Sequence, residues 1–173
     1  MKESRREGIA IKEQDSLTGL YNMQAARKKI TELLDGEMVK NGLLFYIDLD
    51  DFQEINDTYG YCAGDELLQT MGGLLLQALH KGDVAARIGG DEFLLFLGNV
   101  PGGRAAYSQA LQLYGTCMAA GGESPVSVSM GIACYPEDGR FYEELTARAD
   151  EALYASKHLG KQCFLFYEDL SKL

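Results

Sequence analysis

The chain has 173 residues, 46% apolar and 24% charged, enough for one domain with a real core and ordinary for a soluble globular protein. Its formal net charge of −10 argues against a nucleic-acid polymer as partner, because that binding rests on lysine and arginine neutralising phosphates. A single nucleotide held through a divalent cation is compatible with that charge and would use the acidic residues.

The longest apolar runs, Leu43 to Ile47 and Phe93 to Leu97, are far too short to span a bilayer, so no direct membrane contact is expected of this domain. Met1 to Arg6 has no apolar stretch of the kind a signal peptide needs, although a longer parent chain could be anchored upstream. Cys62, Cys117, Cys134 and Cys163 are scattered without paired-ligand spacing, and His80 and His158 are the two histidines. That pattern reads as reduced thiols in a cytoplasmic domain, not as a zinc site.

In chain order, residues 1–14 are charged and read as a linker or the end of an upstream signalling helix, with the domain proper at 15–173. Asp15 to Asn22 is a turn-forming stretch that ends on a helix N-cap at Asn22. The helix that follows carries Met23, Ala26, Ile30, Leu33 and Leu34 on one face and stops near Gly36. Leu43 to Ile47 reads as a strand buried on both faces, running into Asp48-Leu49-Asp50-Asp51-Phe52 and a short helix up to about Gly60. A longer helix is predicted from near Asp65, with Leu67, Leu68, Met71, Leu74, Leu75, Ala78 and Leu79 on its stripe. Gly72 and Gly73 inside it should each cost roughly 1 kcal/mol relative to alanine, which suggests close packing at both.

Asp83 to Ala86 and Phe93 to Leu97 are short apolar flanks around Arg87-Ile88-Gly89-Gly90-Asp91-Glu92, a pattern of two strands and a hairpin. The glycine pair suits such a turn because glycine enters positive φ without steric cost. Asn99 to Gly103 is a loop, and Arg104 to about Ala120 a helix. Val126 to Ala133 alternates with period two, as a strand with one polar face does. Glu143 to His158 is a helix stopped by Gly160, and Cys163 to Tyr167 a last strand. The order predicts an α+β domain of ferredoxin-like kind: an antiparallel-containing sheet with helices over one face.

Two acidic stretches carry the chemistry. Asp48 and Asp50 end an apolar strand, and alternation points both to one side. They could be solvated or cap the next helix, and Gly89 to Glu92 could be a plain surface turn. If the strand lies beside the hairpin, Asp48 and Asp91 converge, and converging carboxylates repel unless a hard cation joins them. Oxygen ligands suit Mg²⁺, and the carbonyl of Leu49 could add one. The helix starting near Phe52 would aim free N–H groups at phosphates, as phosphoryl transfer requires.

The run Arg87 to Phe93 resembles the signature of the GGDEF family, the diguanylate cyclases. The family's other marks follow in order: Asp15 to Asn22, Asp48 to Phe52, Asn56-Asp57, Gly64-Asp65, and Ala149 to Lys157. The resemblance runs from about residue 15 to 167. It implies a palm-like, mostly antiparallel sheet flanked by helices, similar to nucleotidyl cyclases, with the signature on a β-hairpin. It also implies that two GTP molecules, one per protomer of a homodimer, condense to cyclic di-GMP and two pyrophosphates.

The same resemblance implies site roles. Asp48, Asp91 and Glu92 are catalytic, and with Leu49 they hold Mg²⁺ or Mn²⁺. Asn56 and Asp65 read the guanine edge, and Phe52, Gly89 and Gly90 line the nucleotide. Lys157 and Lys161 meet the terminal phosphates. Read without the family, the lysines are favourable charge at a helix C-terminus, Asn56 a turn residue and Asp65 an N-cap. An acceptor at Asp65 suits guanine N1–H and N2–H₂, favouring GTP over ATP.

Departures from the family pattern are few. Gln53 stands where a lysine is common, and Met23 and Gln24 where two arginines are. Lys161 replaces an arginine and loses its planar fork. At the family's product-inhibition position Asp83 is kept but His80 replaces the arginine, which implies a degenerate site and weak feedback. The alternative function is a weak or inactive domain that binds GTP and regulates a partner. An upstream sensor domain in a longer chain is expected.

Overall fold

The computed structural model describes residues 13–122 and 126–173, so the expectation for residues 1–14 falls almost wholly outside the described residues. Within them, β1 is Tyr21–Asn22, α1 Met23–Asp35, β2 Gly42–Leu49, α2 Phe52–Tyr59 and α3 Tyr61–Ala78. Next come β3 Val84–Arg87, β4 Glu92–Gly98 and α4 Arg104–Met118. The chain ends with β5 Val128–Tyr135, α5 Tyr142–His158, β6 Phe164–Phe166 and a 3₁₀ turn, Tyr167–Lys172. Among the described residues six strands form one sheet in the order β1-β3-β4-β2-β5-β6. The β3-β4-β2-β5 centre is antiparallel, whereas β1 joins β3 and β6 joins β5 in parallel.

Helices cover both faces of this sheet, not the one face that element order suggested. Along β2, Leu43, Phe45, Ile47 and Leu49 point into a core shared with Leu68, Met71 and Leu75 of α3 and Leu113 of α4. Leu44, on the opposite face, packs with Ile30 and Leu34 of α1 and Leu145 and Ala149 of α5. A central strand flanked on both faces must be apolar at consecutive positions, and β2 is. The period-two reading of the strand at 126–133 needs the same correction. Ser129 is fully buried, because β5 lies between β2 and β6 under α5.

Asn22 caps α1, its side chain accepting from the Ala25 amide at 2.9 Å. The helix predicted from Asp65 begins four residues earlier, at Tyr61, directly after Gly60 (φ 89°) ends α2. Tyr61 and Cys62 are exposed, so its first turn carries no apolar stripe to read, and Asp65 lies inside the helix, not at its cap. The two residues of β1 are too short for any periodic signal and exist through pairing with Ala86 and Arg87.

Close packing explains some glycines and not others. At Gly131 a Cβ would stand 1.9 Å from the Ala149 carbonyl oxygen, so α5 rests directly on the β5 backbone. At Gly72 it would meet Thr18 Cβ at 2.8 Å, which seats the 15–20 turn on α3; at Gly73 it would meet nothing within 4 Å. Gly73→Ala is therefore expected to raise stability by roughly 0.5–1 kcal/mol, and Gly72→Ala to lower it by about 1–3 kcal/mol. Urea midpoints of the two variants, compared at equal m-value, check the difference in sign.

Candidate active site

The β2–β4 register sets Asp48 opposite Glu92, and the Leu49 amide donates to the Asp91 carbonyl at 3.1 Å. Asp48 is 6% exposed. Its Oδ2 accepts from Lys157 Nζ of α5 at 2.7 Å. Burial pushes the Asp48 carboxyl above its ordinary value, opposed by Lys157 and reinforced by Asp91 and Asp50. Glu92 is raised too, by burial first and then by the charges of Asp48 and Asp91. Three acids thus feel one another at one end of two central strands.

The glycines of the hairpin tip act differently from the expectation. Neither Gly89 nor Gly90 takes a positive φ. At Gly89 a Cβ would stand 2.4 Å from Glu92 Oε2, so the bare backbone makes room for that carboxylate. Gly90 is exposed, and a Cβ there would meet nothing within 4 Å. The tip is held instead by Arg87, whose Nη2 donates to the Gly90 carbonyl at 2.7 Å and whose Nη1 lies 3.3 Å from Asp15 Oδ1. Asp15 Oδ2 accepts from the Thr18 amide and hydroxyl at 2.9 and 2.7 Å.

The remaining expected residues fall around the acidic end. Asn56 rests on the bare backbone of α3, where a Cβ at Gly64 would stand 1.9 Å from Asn56 Oδ1, and this brings Asn56 beside exposed Asp65. The Phe52 ring packs toward Gly64 and the core, so its first-turn amide and not its ring is left to meet a ligand. Gln53 donates to Asp57 at 2.8 Å. Lys161 Nζ reaches Asp51 Oδ1 at 2.5 Å, and that bond raises the lysine's pKa. Away from this end, Asp83 accepts from the His80 amide at 2.8 Å and the Gly98 amide at 3.0 Å.

A cavity of about 320 Å³ shares Asp50 and Asp51 with the acidic end but not Asp48, Asp91, Glu92, Asn56 or Asp65. It is not where the acids meet. Among the described residues no three acidic, histidine or cysteine side chains are gathered closely enough to hold a metal ion as they stand. The donor set nevertheless fits a hard divalent cation. It is all oxygen, and the carboxyls of Asp48 and Glu92 are held up by burial and mutual repulsion, which a cation would relieve.

Fold and site together define a six-stranded mixed sheet flanked by helices, with an acidic cluster at one end of its central strands. The family model "Diguanylate cyclase, GGDEF domain" matches residues 12–163, and the chain belongs to the GGDEF family. An uncharacterized signaling protein of Caulobacter vibrioides is 35% identical over 165 residues, covering 91% of this chain and 20% of its own. MucR of Pseudomonas aeruginosa, named a bifunctional diguanylate cyclase/cyclic di-GMP phosphodiesterase, is 30% identical over 97% of this chain and 25% of its own. A crystal structure of a sensory box/GGDEF family protein from Caulobacter crescentus is similar at a TM-score of 0.73 and 34% identity, covering 86% of this chain and 99% of that one. The chain spans about a fifth to a quarter of the length of these curated relatives.

Sequence reading overlooked the Arg87–Asp15 brace and the partners of buried Asp50, namely Ser127, Ser129 and the Gln162 amide. The spacing Ser127-Val128-Ser129 was the available signal. The Asp15 brace has a pH signature. Burial raises the Asp15 carboxyl, but the Thr18 bonds and the Arg87 charge outweigh it, and the net shift is downward from 3.8. A depressed carboxyl contributes stability above its unfolded value and loses it as pH falls through the folded value. Asp15→Asn is therefore expected to cost about 1–2 kcal/mol near neutral pH. The gap in melting temperature to wild type should narrow progressively below pH 3.8.

Proposed function

We propose that this domain is a diguanylate cyclase that joins two GTP molecules into cyclic di-GMP with release of two pyrophosphates. The observation that carries the reading is Asp48 set opposite Glu92 and beside Asp91, with Lys157 2.7 Å from Asp48. Asp48, Asp91 and Glu92, with the Leu49 carbonyl, would hold Mg²⁺ or Mn²⁺. Such a cation, when bound, neutralises triphosphate charge and makes the 3′-hydroxyl a better nucleophile.

The chain's own groups supply the rest. Phe52 and Gln53 open α2, so their amides lack helical partners and face incoming phosphate. Lys157 and Lys161 add ammonium groups at the same end, and Asn56 with Asp65 offers an acceptor-rich pair to the guanine edge. Exposed Gly90 leaves the backbone open to close approach. Glu92, whose carboxyl is raised, is suited to accept the proton of the 3′-hydroxyl. The 3′-oxygen of one GTP then attacks the α-phosphorus of the other and expels its pyrophosphate, and the 3′-oxygen of the second attacks the α-phosphorus of the first and expels the second pyrophosphate. One protomer presents one GTP, so activity requires a homodimer and should rise steeply with protein concentration.

On this reading the catalytic domain is 15–173, part of a longer signalling protein whose upstream sensor drives dimerisation. Among the described residues no helix is long and apolar enough to cross a membrane. A second reading, a GTP-binding regulator without turnover, rests on Gln53, whose amide is spent on Asp57 where the family commonly offers a lysine to phosphate.

Product analysis separates the two. Wild type with GTP and Mg²⁺ is expected to yield cyclic di-GMP and two pyrophosphates per product, with Asp91→Ala slower by on the order of 100-fold or more. Bound GTP without product, at high concentration or with protomers tethered, would favour the regulator. Feedback is a further expected difference. Both Asp83 oxygens are occupied by backbone amides and His80 cannot form a guanidinium's paired contacts. Micromolar cyclic di-GMP should leave turnover unchanged, and Asp83→Ala should lower the melting temperature without altering that insensitivity.

A further inference from the structure

Asp50 is the acid of the strand end that the roles above leave unused. It is 5% exposed. Its Oδ1 accepts from Ser129 Oγ at 2.7 Å, and its Oδ2 from Ser127 Oγ at 2.9 Å and from the Gln162 amide at 3.2 Å. Its own amide donates to the Ser127 carbonyl at 2.9 Å. A carboxylate has about four lone-pair sites, so the protein itself takes most of this one. Asp50 is thereby a poor metal ligand, though it lies two residues from Asp48.

The bonds of Asp50 join three segments: the end of β2, the start of β5, and the loop after α5. Backbone conformation is unusual in the same place. Among the described residues five non-glycine residues have positive φ, and three of them meet here: Asp51 at 55°, Lys161 at 63° and Gln162 at 52°. Left-handed backbone costs a non-glycine residue roughly 1–2 kcal/mol and persists only where surrounding bonds over-determine it. Those bonds are visible. The Gln162 amide is held by Asp50, its carbonyl accepts from Tyr114 Oη at 2.7 Å, and the Lys161 amide donates to the Ser156 carbonyl at 3.1 Å. Lys161 is therefore carried on a strap whose far side is fastened to Asp50, and its ammonium reaches Asp51 at the entrance to α2.

We propose that Asp50 is a positioning residue for triphosphate binding: its buried carboxylate fastens the Lys161–Gln162 strap to the strand end and so sets the Lys161 ammonium beside the first amides of α2. The proposal rests on the cyclase reading in taking a nucleoside triphosphate as the ligand of Lys161. Alanine at 50 would remove the acceptor of both serine hydroxyls and of the Gln162 amide, which cannot reverse its role, and so would release the strap.

The test is a double-mutant cycle on the 173-residue chain, read by calorimetric binding of α,β-methylene GTP with Mg²⁺. Lys161→Met is expected to weaken binding about tenfold, Asp50→Ala by a similar factor, and the double variant by little more than either alone. Ser127→Ala removes one bond of the knot and is expected to shift affinity in the same direction by about threefold, again without adding to Lys161→Met. Folded Asp50→Ala with wild-type affinity overturns the proposal, as do losses that multiply to about 100-fold in the double variant. If Asp50→Ala does not fold, the Ser127→Ala cycle decides by the same criterion. Wild-type affinity in Lys161→Met overturns the proposal and leaves the cyclase reading standing. Failure of the wild type itself to bind the analogue removes both.

Discussion

Two strands buried on both faces meet with Gly42 opposite Gly98 at one end and Asp48 opposite Glu92 at the other. The glycine end admits no side chain. A Cβ at Gly42 would stand 2.7 Å from the Leu97 carbonyl, and one at Gly98 2.8 Å from Val39 Cγ1. Slipping the ladder by one residue would force a side chain into that space and would also exchange the two faces of β2. Register is therefore locked by packing at the far end of the sheet, and the placement of two carboxylates at the near end follows from it. Every chemical property of the site depends on that opposition.

Charge is the immediate consequence. Burial and mutual repulsion raise Asp48 and Glu92, and the cations at hand answer the acids: Lys157 on Asp48, Lys161 on Asp51. On the proposed reading a metal-bound triphosphate brings a cation for the acids and anions for the lysines, so the same groups exchange partners. Arg87 belongs to the same economy of charge. It is spent on Asp15 and the Gly90 carbonyl, which steadies the hairpin tip from the side away from the acids.

Much of this was legible without coordinates. The unbroken apolar run of β2, the Asn22 cap, the short helix ended at Gly60 and the hairpin flanks all carry local signals, because each is decided by residues within a few positions. The motif order pointed to the family, and with it to Asp48, Asp91 and Glu92. Other features misled for an identifiable reason. Ser127-Val128-Ser129 alternates as a solvent-facing strand does, yet both serines face a buried carboxylate. The start of α3 was misplaced because Tyr61 and Cys62 lie on an exposed first turn. Gly72 and Gly73 look alike in sequence, and only the position of Thr18 distinguishes them. Gly89 suggested a backbone requirement, whereas its role is to leave room for the Glu92 carboxylate.

Sequence alone determined the longer helices and strands and which residues could do chemistry, because periodicity, caps and short motifs are properties of neighbouring residues. Tertiary structure decided the pairings across long separations: Asp48 with Lys157, Asp50 with Ser127, Ser129 and Gln162, Arg87 with Asp15, and helices on both faces of the sheet. Those are set by which surfaces close-pack and which buried polar groups find partners. No local pattern encodes either, since each is a condition on groups that only the folded chain brings together.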